Sequence, residues 1–227
     1  MLASPPERTD GKKAIAVVED HPLMRRGLTA LIDAEPDLLV CAEATTCRGA
    51  LQEIARRPPD LAIVDLVLEG GDDGLDLVKA LKIRYPAVPV LVFSMHPEGI
   101  YGERALRAGA QGYLTKQQVD QTVLVAIRRM LGGGIYMSEA LAIDLAAHFI
   151  GRKGQEASSL AVLSHRELQV FRLIGHGRRT REIAEILHLS TKTIETHREH
   201  LKQKLGVGGA AELLRRATRW VETGQTR

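Results

Sequence analysis

The chain has 227 residues, of which 44% are hydrophobic and 26% are charged. This is the composition of a soluble globular protein that is long enough for one large domain or two of ordinary size. No apolar run could span a membrane and the first residues lack the apolar core of a signal peptide, so we expect a cytoplasmic protein with no membrane partner. Cys41 and Cys47 have neither metal-site spacing nor the pattern of a disulfide framework, which indicates buried or idle thiols.

Charge is distributed unevenly along the chain. Residues 160–227 contain 13 Lys and Arg against 7 Asp and Glu, whereas residues 1–159 contain 18 against 21. An acidic part followed by a basic part predicts two domains with different partners. The basic part suits nucleic acid, although a membrane surface or a solvated face would carry similar charge.

The acidic part predicts strands that alternate with helices. Residues 1–12 form a predicted tail. Strands are predicted at 14–18, 38–44, 61–66, 89–94 and 112–115, and helices at about 22–34, 47–57, 74–84, 98–108 and 117–131. This alternation predicts an α/β domain over 13–132 with a five-stranded, parallel, doubly wound sheet. A GGG break, a short helix at 139–150 and a polar stretch predict a linker over 133–160.

Four of the predicted strands end in residues that carry chemistry. Glu19 and Asp20 follow the first strand, Asp65 follows the third, Ser94 ends the fourth and Lys116 follows the fifth. The carboxyl ends of parallel strands meet at one rim of a sheet, so we expect these side chains to converge. Three carboxylates repel one another, and Mg²⁺ is the hard cation with oxygen ligands that best offsets this repulsion. The alternative is that each residue only caps its own strand. It is disfavoured because four strand ends carry an acid pair, an acid, a hydroxyl and a lysine, which together form one reactive group.

Four segments resemble the CheY-like receiver domain of bacterial two-component response regulators, whose fold is flavodoxin-like. They are VVEDHP (17–22), LAIVDL (61–66), VLVFSMH (90–96) and ALRAGAQGYLTK (105–116). The resemblance implies that Asp65 is the phosphoacceptor for a sensor histidine kinase.

The same resemblance implies roles for the residues around Asp65. Those implied to hold Mg²⁺ are Glu19, Asp20, Asp65 and the backbone carbonyl of Val67. Those implied to engage the phosphoryl group or to switch on activation are Ser94, Lys116 and Tyr113. For Tyr113 the alternative is a half-buried core tyrosine without a switching role.

The loop after Asp65 departs from the family pattern. A Met-Pro turn and a Gly eight residues on usually follow the phosphoacceptor. Here the loop is LVLEGGDDG, with Glu69 where the Pro would be and one extra residue before Gly74. We hypothesise that the loop alters metal affinity or the dephosphorylation rate while the site is kept, which a magnesium titration followed by NMR would test.

The basic part predicts helices only, over 161–227. LSHREL (163–168) has the Ser-x-x-Glu pattern of a capping box ahead of an apolar-periodic run. TREIAEIL (180–187) and a helix at about 191–205, capped by Ser190, flank a tight turn. This is the pattern of a helix-turn-helix, whose second helix enters the major groove of double-stranded DNA. A last helix at about 209–222 completes a four-helix domain.

The second helix of this pair has an exposed polar face, and basic residues flank it. The side chains predicted to reach base edges are Lys192, Thr193, Glu195, Thr196, Glu199, His200 and Gln203. Those predicted to contact phosphates are Arg178, Arg179, Arg181, Lys202 and Lys204.

Three segments resemble the LuxR-type DNA-binding domain, which behind a receiver defines the NarL/FixJ class of response regulators. They are LSHRELQVFRLIGHG, REIAEILHLSTKTIETH and KQKLGV. The resemblance implies a transcription regulator whose phosphorylated form dimerises on DNA, with RNA polymerase as a further partner. It implies that His197 packs inward and that Thr180 caps its helix, because Arg179 replaces the usual cap. The residues implied to form the dimer contact are Leu213, Leu214, Ala217 and Val221.

Two other classes of protein are compatible with parts of the pattern. A Mg²⁺-dependent phosphatase could use Asp65 as a nucleophile, but it would leave the helix-turn-helix without a role and no second acid or base is evident. A phosphorylation-controlled interaction protein could bind another protein through its basic part, and Glu195 and Glu199 favour that reading. We therefore predict a regulator that is not an enzyme.

Overall fold

The computed structural model describes residues 11–117, 121–149, 160 and 162–224, so most of the predicted tail lies outside the described residues. The chain divides into two units, Met1–Gly151 and Arg152–Arg227. Among the described residues, none of the helices combines the length and the apolar character that crossing a membrane requires.

The first unit contains a five-stranded sheet. Its strands are β1 (Lys13–Val18), β2 (Leu38–Ala44), β3 (Leu61–Val64), β4 (Val90–Ser94) and β5 (Gly112–Thr115). They lie in the order β2-β1-β3-β4-β5, and all four neighbouring pairs are parallel. The predicted doubly wound parallel sheet is confirmed.

Among the described residues of the first unit, six α-helices follow the strands. They are α1 (Pro22–Asp33), α2 (Cys47–Arg56), α3 (Gly74–Arg84), α4 (Glu98–Arg107), α5 (Gln121–Leu131) and α6 (Glu139–Phe149). Lys116 and Gln117 form a turn, and residues 118–120, where the predicted helix would begin, lie outside the described residues.

The sheet is covered on both faces, which explains why its strands are nearly continuous apolar runs. On one face Ile15, Ile63 and Phe93 pack against Leu28 of α1 and Ile127 of α5, and all five are buried. A sheet packed in this way is a rigid support for the polar residues that follow its strands.

The segment after α5 packs back onto β5 and α4. The Tyr113 amide donates to the Tyr136 carbonyl at 2.9 Å, and the Tyr136 amide donates to the Gln111 carbonyl at 3.0 Å. Leu141 of α6 is buried against Gly102 of α4, where a Cβ atom would lie 2.6 Å from a Leu141 methyl group. The short helix of the predicted linker therefore contacts the body of the first unit.

The second unit is helical, as predicted. Its helices are α7 (His165–Gly175), α8 (Thr180–Ile186), α9 (Thr191–Leu205) and α10 (Ala210–Gly224). Buried side chains from all four helices form its core, among them Phe171, Ile183, Ile194, Leu201 and Leu213. Gly206 ends α9 in the left-handed conformation, with φ +64°, as the predicted helix stop requires.

Candidate functional site

Side chains that follow four different strands meet at the carboxyl rim of the sheet. Glu19, Asp65, Ser94 and Lys116 are all buried there. The Lys116 ammonium lies 2.6 Å from the Glu19 carboxylate and 2.7 Å from Asp65 Oδ2. One cation thus bridges two acids from two strands, and the predicted convergence of these side chains is observed.

Three carboxylates at this rim have the geometry of a divalent-cation site. Glu19, Asp20 and Asp65 each offer an oxygen atom, and these oxygen atoms lie within 4.8 Å of one another. The His21 amide donates to Glu19 Oε1 at 3.1 Å, which orients that carboxylate. An all-oxygen set of acids is the ligand type that Mg²⁺ prefers, so the residues present fit this ion.

Burial disfavours the charged forms of the Glu19 and Asp65 carboxylates. It raises the pKa of Asp65, while Lys116 and the backbone amides of Leu66 and Val67 oppose the increase. The pKa of Glu19 is raised by burial and then by the negative charge of Asp65, against the opposing effect of Lys116. Positive charge at this rim therefore stabilises the ionised acids, whether it comes from Lys116 or from a bound cation.

Ser94 and Tyr113 lie behind the acids in one hydrogen-bonded group. The Ser94 carbonyl accepts from the Lys116 amide at 2.8 Å, and its hydroxyl accepts from the His96 amide at 3.3 Å. The Tyr113 hydroxyl donates to the His96 carbonyl at 2.8 Å. Burial raises the pKa of the Tyr113 phenol far above its usual value. Tyr113 is 1% exposed, so it is fully buried and not half-buried, and its hydroxyl is held by the loop that follows Ser94.

The lengthened loop after Asp65 folds as a small hairpin. Val67 and Asp73 form an antiparallel bridge, and the Leu68 amide donates to the Asp72 carbonyl at 3.3 Å. A Cβ atom on Gly74, where α3 begins, would lie only 1.9 Å from the Asp65 carbonyl oxygen. The glycine therefore lets the hairpin close directly beside the backbone of Asp65.

The predicted capping box of the second unit is confirmed. The Glu167 amide donates to Ser164 Oγ at 3.2 Å, and the Ser164 amide donates to Glu167 Oε2 at 2.7 Å. The predicted cap of α8 is wrong: Arg179 occupies the N-cap position, its amide donates to Glu182 Oε2 at 2.7 Å, and Thr180 is the first helical residue. The Glu182 carboxylate accepts the hydrogen bond of the N-cap amide, so the start of α8 does not require a hydroxyl side chain at the cap.

Most side chains predicted to reach base edges lie on the exposed face of α9. Those that are exposed are Lys192, Glu195, Thr196, Glu199, His200 and Gln203. Thr193 is partly buried, and its hydroxyl lies 2.7 Å from Ser190 Oγ at the start of the helix. The exposed side chains are therefore accessible for the predicted contacts with bases, whereas Thr193 interacts with the N-cap residue of α9.

The predicted phosphate contacts divide into two groups. Arg178, Arg181 and Lys202 form ion pairs within one helical turn, with Glu182, Glu185 and Glu199 respectively. Such exposed pairs are weak and can open to admit a phosphate. Arg179 is exposed at the start of α8.

Lys204 belongs to a different group. Its ammonium donates to Glu167 Oε2 at 2.7 Å, and Glu167 is only 3% exposed. Burial would raise the pKa of Glu167, but the hydrogen bonds from Lys204 and Ser164 lower it below its usual value. Lys204 therefore joins α9 to α7 through a charged hydrogen bond to a buried carboxylate, and its predicted phosphate contact stays a prediction.

His197 packs inward, as predicted. Its Nδ1 atom is buried, and burial lowers the pKa of the imidazole. The lowered pKa favours the neutral form of the imidazole.

Two residues of the predicted dimer contact are not at the surface. Leu213 and Ala217 are fully buried in the core of the second unit, because α10 packs closely on Gly175 of α7. Leu214 is 44% exposed and Val221 is partly exposed. Of the four residues of the predicted dimer contact, only Leu214 and Val221 therefore have exposed surface on α10.

Sequence reasoning missed two sets of contacts. One is the Glu167–Lys204 pair, whose partners are 37 residues apart in the chain. The other joins the hairpin after Asp65 to the loop after β2, through Thr45 with Glu69 and Cys47 with Asp72. Acid residues in the LVLEGGDDG loop were visible in the sequence, but their partners were not.

Comparison with known proteins identifies the family. Residues 15–128 match the response regulator receiver domain, and residues 161–217 match the luxR family of bacterial regulatory proteins. The chain is 31% identical over 204 residues to the oxygen regulatory protein NreC of Staphylococcus carnosus (strain TM300), covering 88% of this chain and 94% of that protein. The chain therefore belongs to the NarL/FixJ class of two-component response regulators, which act on DNA.

Solved structures agree with this assignment. A LuxR-family two-component response regulator from Aurantimonas sp. SI85-9A1 is 31% identical, with a TM-score of 0.56 over 61% of this chain and 99% of that chain. RcsB from Salmonella enterica serovar Typhimurium, bound to promoter P1flhDC in the presence of the phosphomimetic BeF3-, is 24% identical, with a TM-score of 0.56 over 90% of this chain and 97% of that chain. The likeness to RcsB shows a shared fold.

Proposed function

We propose that Asp65 accepts a phosphoryl group from a sensor histidine kinase, and that this phosphorylation controls sequence-specific DNA binding and transcription. The observation that carries the proposal is the bridging of Glu19 and Asp65 by the Lys116 ammonium at a buried rim that also holds Ser94. Such a rim offers a carboxylate nucleophile together with a cation and a hydroxyl for the oxygens of the incoming group.

The chemistry is the transfer of one phosphoryl group between two side chains. A carboxylate oxygen of Asp65 forms a bond to phosphorus, the phosphorus–nitrogen bond to the kinase histidine breaks, and the electron pair of that bond returns to the imidazole. Lys116 pairs with one phosphoryl oxygen, and the Ser94 hydroxyl donates to another. Mg²⁺ held by Glu19, Asp20, Asp65 and the Val67 carbonyl supplies charge neutralisation when bound.

The second unit reads DNA in this proposal. Helix α9 lies in the major groove with its exposed face toward the base edges, and the ion-paired basic residues Arg178, Arg181 and Lys202 turn to phosphates. Two copies bind one two-fold site through the exposed residues of α10, and RNA polymerase is the further partner. The cell compartment is the cytoplasm.

Two alternatives are weaker. A phosphatase would use the acidic rim but leaves a complete helix-turn-helix unit unexplained. A protein-binding role for the basic unit is favoured only by the two glutamates on α9, and Glu199 is already paired with Lys202 at 2.7 Å.

The test is phosphoryl incorporation into the full chain from a small acyl phosphate with Mg²⁺, followed by intact mass. The wild type is expected to gain one phosphoryl group, and Asp65→Asn is expected to gain none. Asp37→Asn, which removes an exposed carboxylate of the same domain, is the matched control and is expected to behave as the wild type. Incorporation into Asp65→Asn at the wild-type level would overturn the assignment.

A further inference from the structure

The hairpin after Asp65 is joined to the loop that follows β2 by a reciprocal pair of hydrogen bonds. The Glu69 amide donates to the Thr45 carbonyl at 3.0 Å, and the Thr45 hydroxyl donates to Glu69 Oε2 at 2.8 Å. In the sheet β1 lies between β2 and β3, so this connection crosses the end of β1, where Glu19 and Asp20 follow. We name the Thr45–Glu69 contact the clamp.

A second contact holds the same two loops together. The Cys47 amide donates to Asp72 Oδ2 at 2.7 Å, and the Cys47 thiol lies 3.6 Å from the Asp73 carbonyl. Cys47 begins α2, so the Asp72 carboxylate lies at the positive end of a helix, where a negative charge is favoured. Together with the clamp, this contact fixes both arms of the hairpin from outside the rim.

The loop after β2 is also joined to the acids of the rim. The Ala44 carbonyl, one residue before Thr45, accepts from the Glu19 amide at 3.0 Å. Residues 44 and 45 therefore connect the backbone of one metal-ligand candidate, Glu19, to the hairpin that contains another, Val67.

Only three residues separate Asp65 from Glu69. On the Asp65 side the Leu66 amide donates to Asp65 Oδ1 at 2.6 Å, and on the far side the Leu68 amide donates to the Asp72 carbonyl. Leu66 and Leu68 are buried, which anchors the chain on both sides of Val67. Val67 thus lies between two residues that are held by hydrogen bonds and burial.

We propose that Thr45 and Glu69 are positioning residues whose clamp fixes the Val67 carbonyl and thereby sets the affinity of the rim for Mg²⁺. This inference rests on the proposed function, because it concerns the metal held beside the phosphoacceptor. A carbonyl that is already oriented toward a cation binds it without the entropic cost of ordering the loop. Releasing the clamp lets the hairpin sample other conformations, and the cation then has to order it.

The experiment is a Mg²⁺ titration of the full chain, followed by the backbone amide signals of Leu66 and Leu68. Thr45→Val removes the hydroxyl but keeps the Glu69 charge, and Glu69→Ala removes both the hydrogen bond and the charge. Each variant is expected to bind Mg²⁺ about three- to tenfold more weakly, the factor that corresponds to losing one hydrogen bond. The double variant is expected to bind Mg²⁺ almost as well as the single variant with the lower affinity, because both substitutions break the same contact.

Conservative variants and a matched control separate positioning from general damage. Thr45→Ser keeps a hydroxyl and is expected to bind Mg²⁺ as the wild type does. Thr29→Val removes a Thr hydroxyl that donates to Glu43 Oε1 at 3.2 Å in the same domain, and it is expected to leave Mg²⁺ affinity unchanged. Amide signals far from the rim report whether each variant keeps the wild-type fold.

The outcomes distinguish this inference from the proposed function. If the wild type shows no Mg²⁺-dependent change at the rim, both the metal site and the clamp are overturned. If the wild type binds Mg²⁺ and Thr45→Val binds it equally well, the clamp alone is overturned. Weakening by Glu69→Ala but not by Thr45→Val also contradicts it, since the charge of Glu69 and not its hydrogen bond would then matter.

Discussion

Lys116 is the residue on which the acidic rim depends most. Its ammonium is buried and contacts both Glu19 and Asp65 within hydrogen-bonding distance. Without it, two buried carboxylates would face each other with no cation, and the loss of one partner from a buried ion pair is far costlier than the loss of an exposed pair. The same geometry lets a divalent cation take over part of its role.

The first prediction concerns Lys116→Met. The substitution is expected to lower the free energy of unfolding of the first unit by about 3–5 kcal/mol in the absence of divalent cations. Mg²⁺ is expected to recover more stability in the variant than in the wild type, because it replaces the missing positive charge. Urea unfolding with and without Mg²⁺ measures both effects. Lys79→Met, which breaks an exposed pair with Asp76, is the control; equal costs for the two variants would contradict this picture.

The second prediction is the pH dependence of Mg²⁺ binding. Burial raises the pKa values of Asp65 and Glu19, so protons compete with the cation at a higher pH than for ordinary carboxyl groups. The affinity is therefore expected to rise with pH through the raised pKa values and to fall on acidification, by up to about tenfold per pH unit for each carboxyl that must lose its proton. Titrations across the mildly acidic to neutral range measure it, and a flat profile would contradict the buried acids as ligands.

At the scale of elements, Gly74 joins α3 to the site. A side chain here would collide with the Asp65 carbonyl, so the start of α3 is in direct backbone contact with Asp65. The hairpin that precedes Gly74 is longer than the family pattern, yet it returns the chain to this contact.

The third prediction is that Gly74→Ala destabilises the first unit by about 1–3 kcal/mol, the usual cost of overpacking. Gly27→Ala is the matched control, because a Cβ atom at Gly27 in the interior of α1 meets nothing within 4 Å. That control is expected to gain up to about 1 kcal/mol from higher helix propensity. Thermal unfolding compares the two, and a neutral Gly74→Ala would show that the close approach is absent in solution.

The fourth prediction concerns the pair that joins α9 to α7. Lys204→Met leaves the buried Glu167 carboxylate without its ammonium partner and is expected to destabilise the second unit by about 1–3 kcal/mol. Fluorescence reports this directly, because Trp220 is the only tryptophan and lies in that unit. Because the pKa of Glu167 is lowered, its contribution is present above the ordinary Glu pKa and is lost as pH falls through the lowered value.

Lys192→Met is the matched control for this prediction. Lys192 is exposed on α9 and belongs to the set predicted to reach base edges, so its loss is expected to leave stability unchanged while weakening sequence-specific DNA binding. If Lys204→Met kept full stability and lowered the salt dependence of DNA binding, that result would support the phosphate contact predicted for Lys204 and contradict its structural role.

At the scale of the whole molecule, the parts that the sequence predicts well are those that topology determines. When five parallel strands alternate with five helices, the carboxyl ends of the strands share one rim. The proximity of Glu19, Asp65 and Lys116 could therefore be predicted from the sequence. Contacts between distant loops follow no such rule. The Thr45–Glu69 clamp and the Glu167–Lys204 pair depend on where loops and helix faces meet, and spacing along the chain carries no signal for that.

The last helix shows a second limit of sequence reasoning. An apolar stripe on α10 predicts burial but does not say whether its own unit or a second copy provides the cover. Leu213 and Ala217 are buried by the second unit itself, whereas Leu214 lies at the surface. Periodicity alone therefore overestimates the apolar surface available for a dimer.

The central claim is that phosphorylation of Asp65 controls DNA binding by the second unit. The most direct measurement selects bound sequences from random DNA with the phosphorylated full chain. It then compares affinity for those sequences before and after phosphorylation at one salt concentration. Phosphorylation of the wild type is expected to raise the affinity by about 5- to 150-fold, the usual range for coupled sites, and Asp65→Asn is expected to show no change. Equal affinity of the wild type in its two states would contradict the claim.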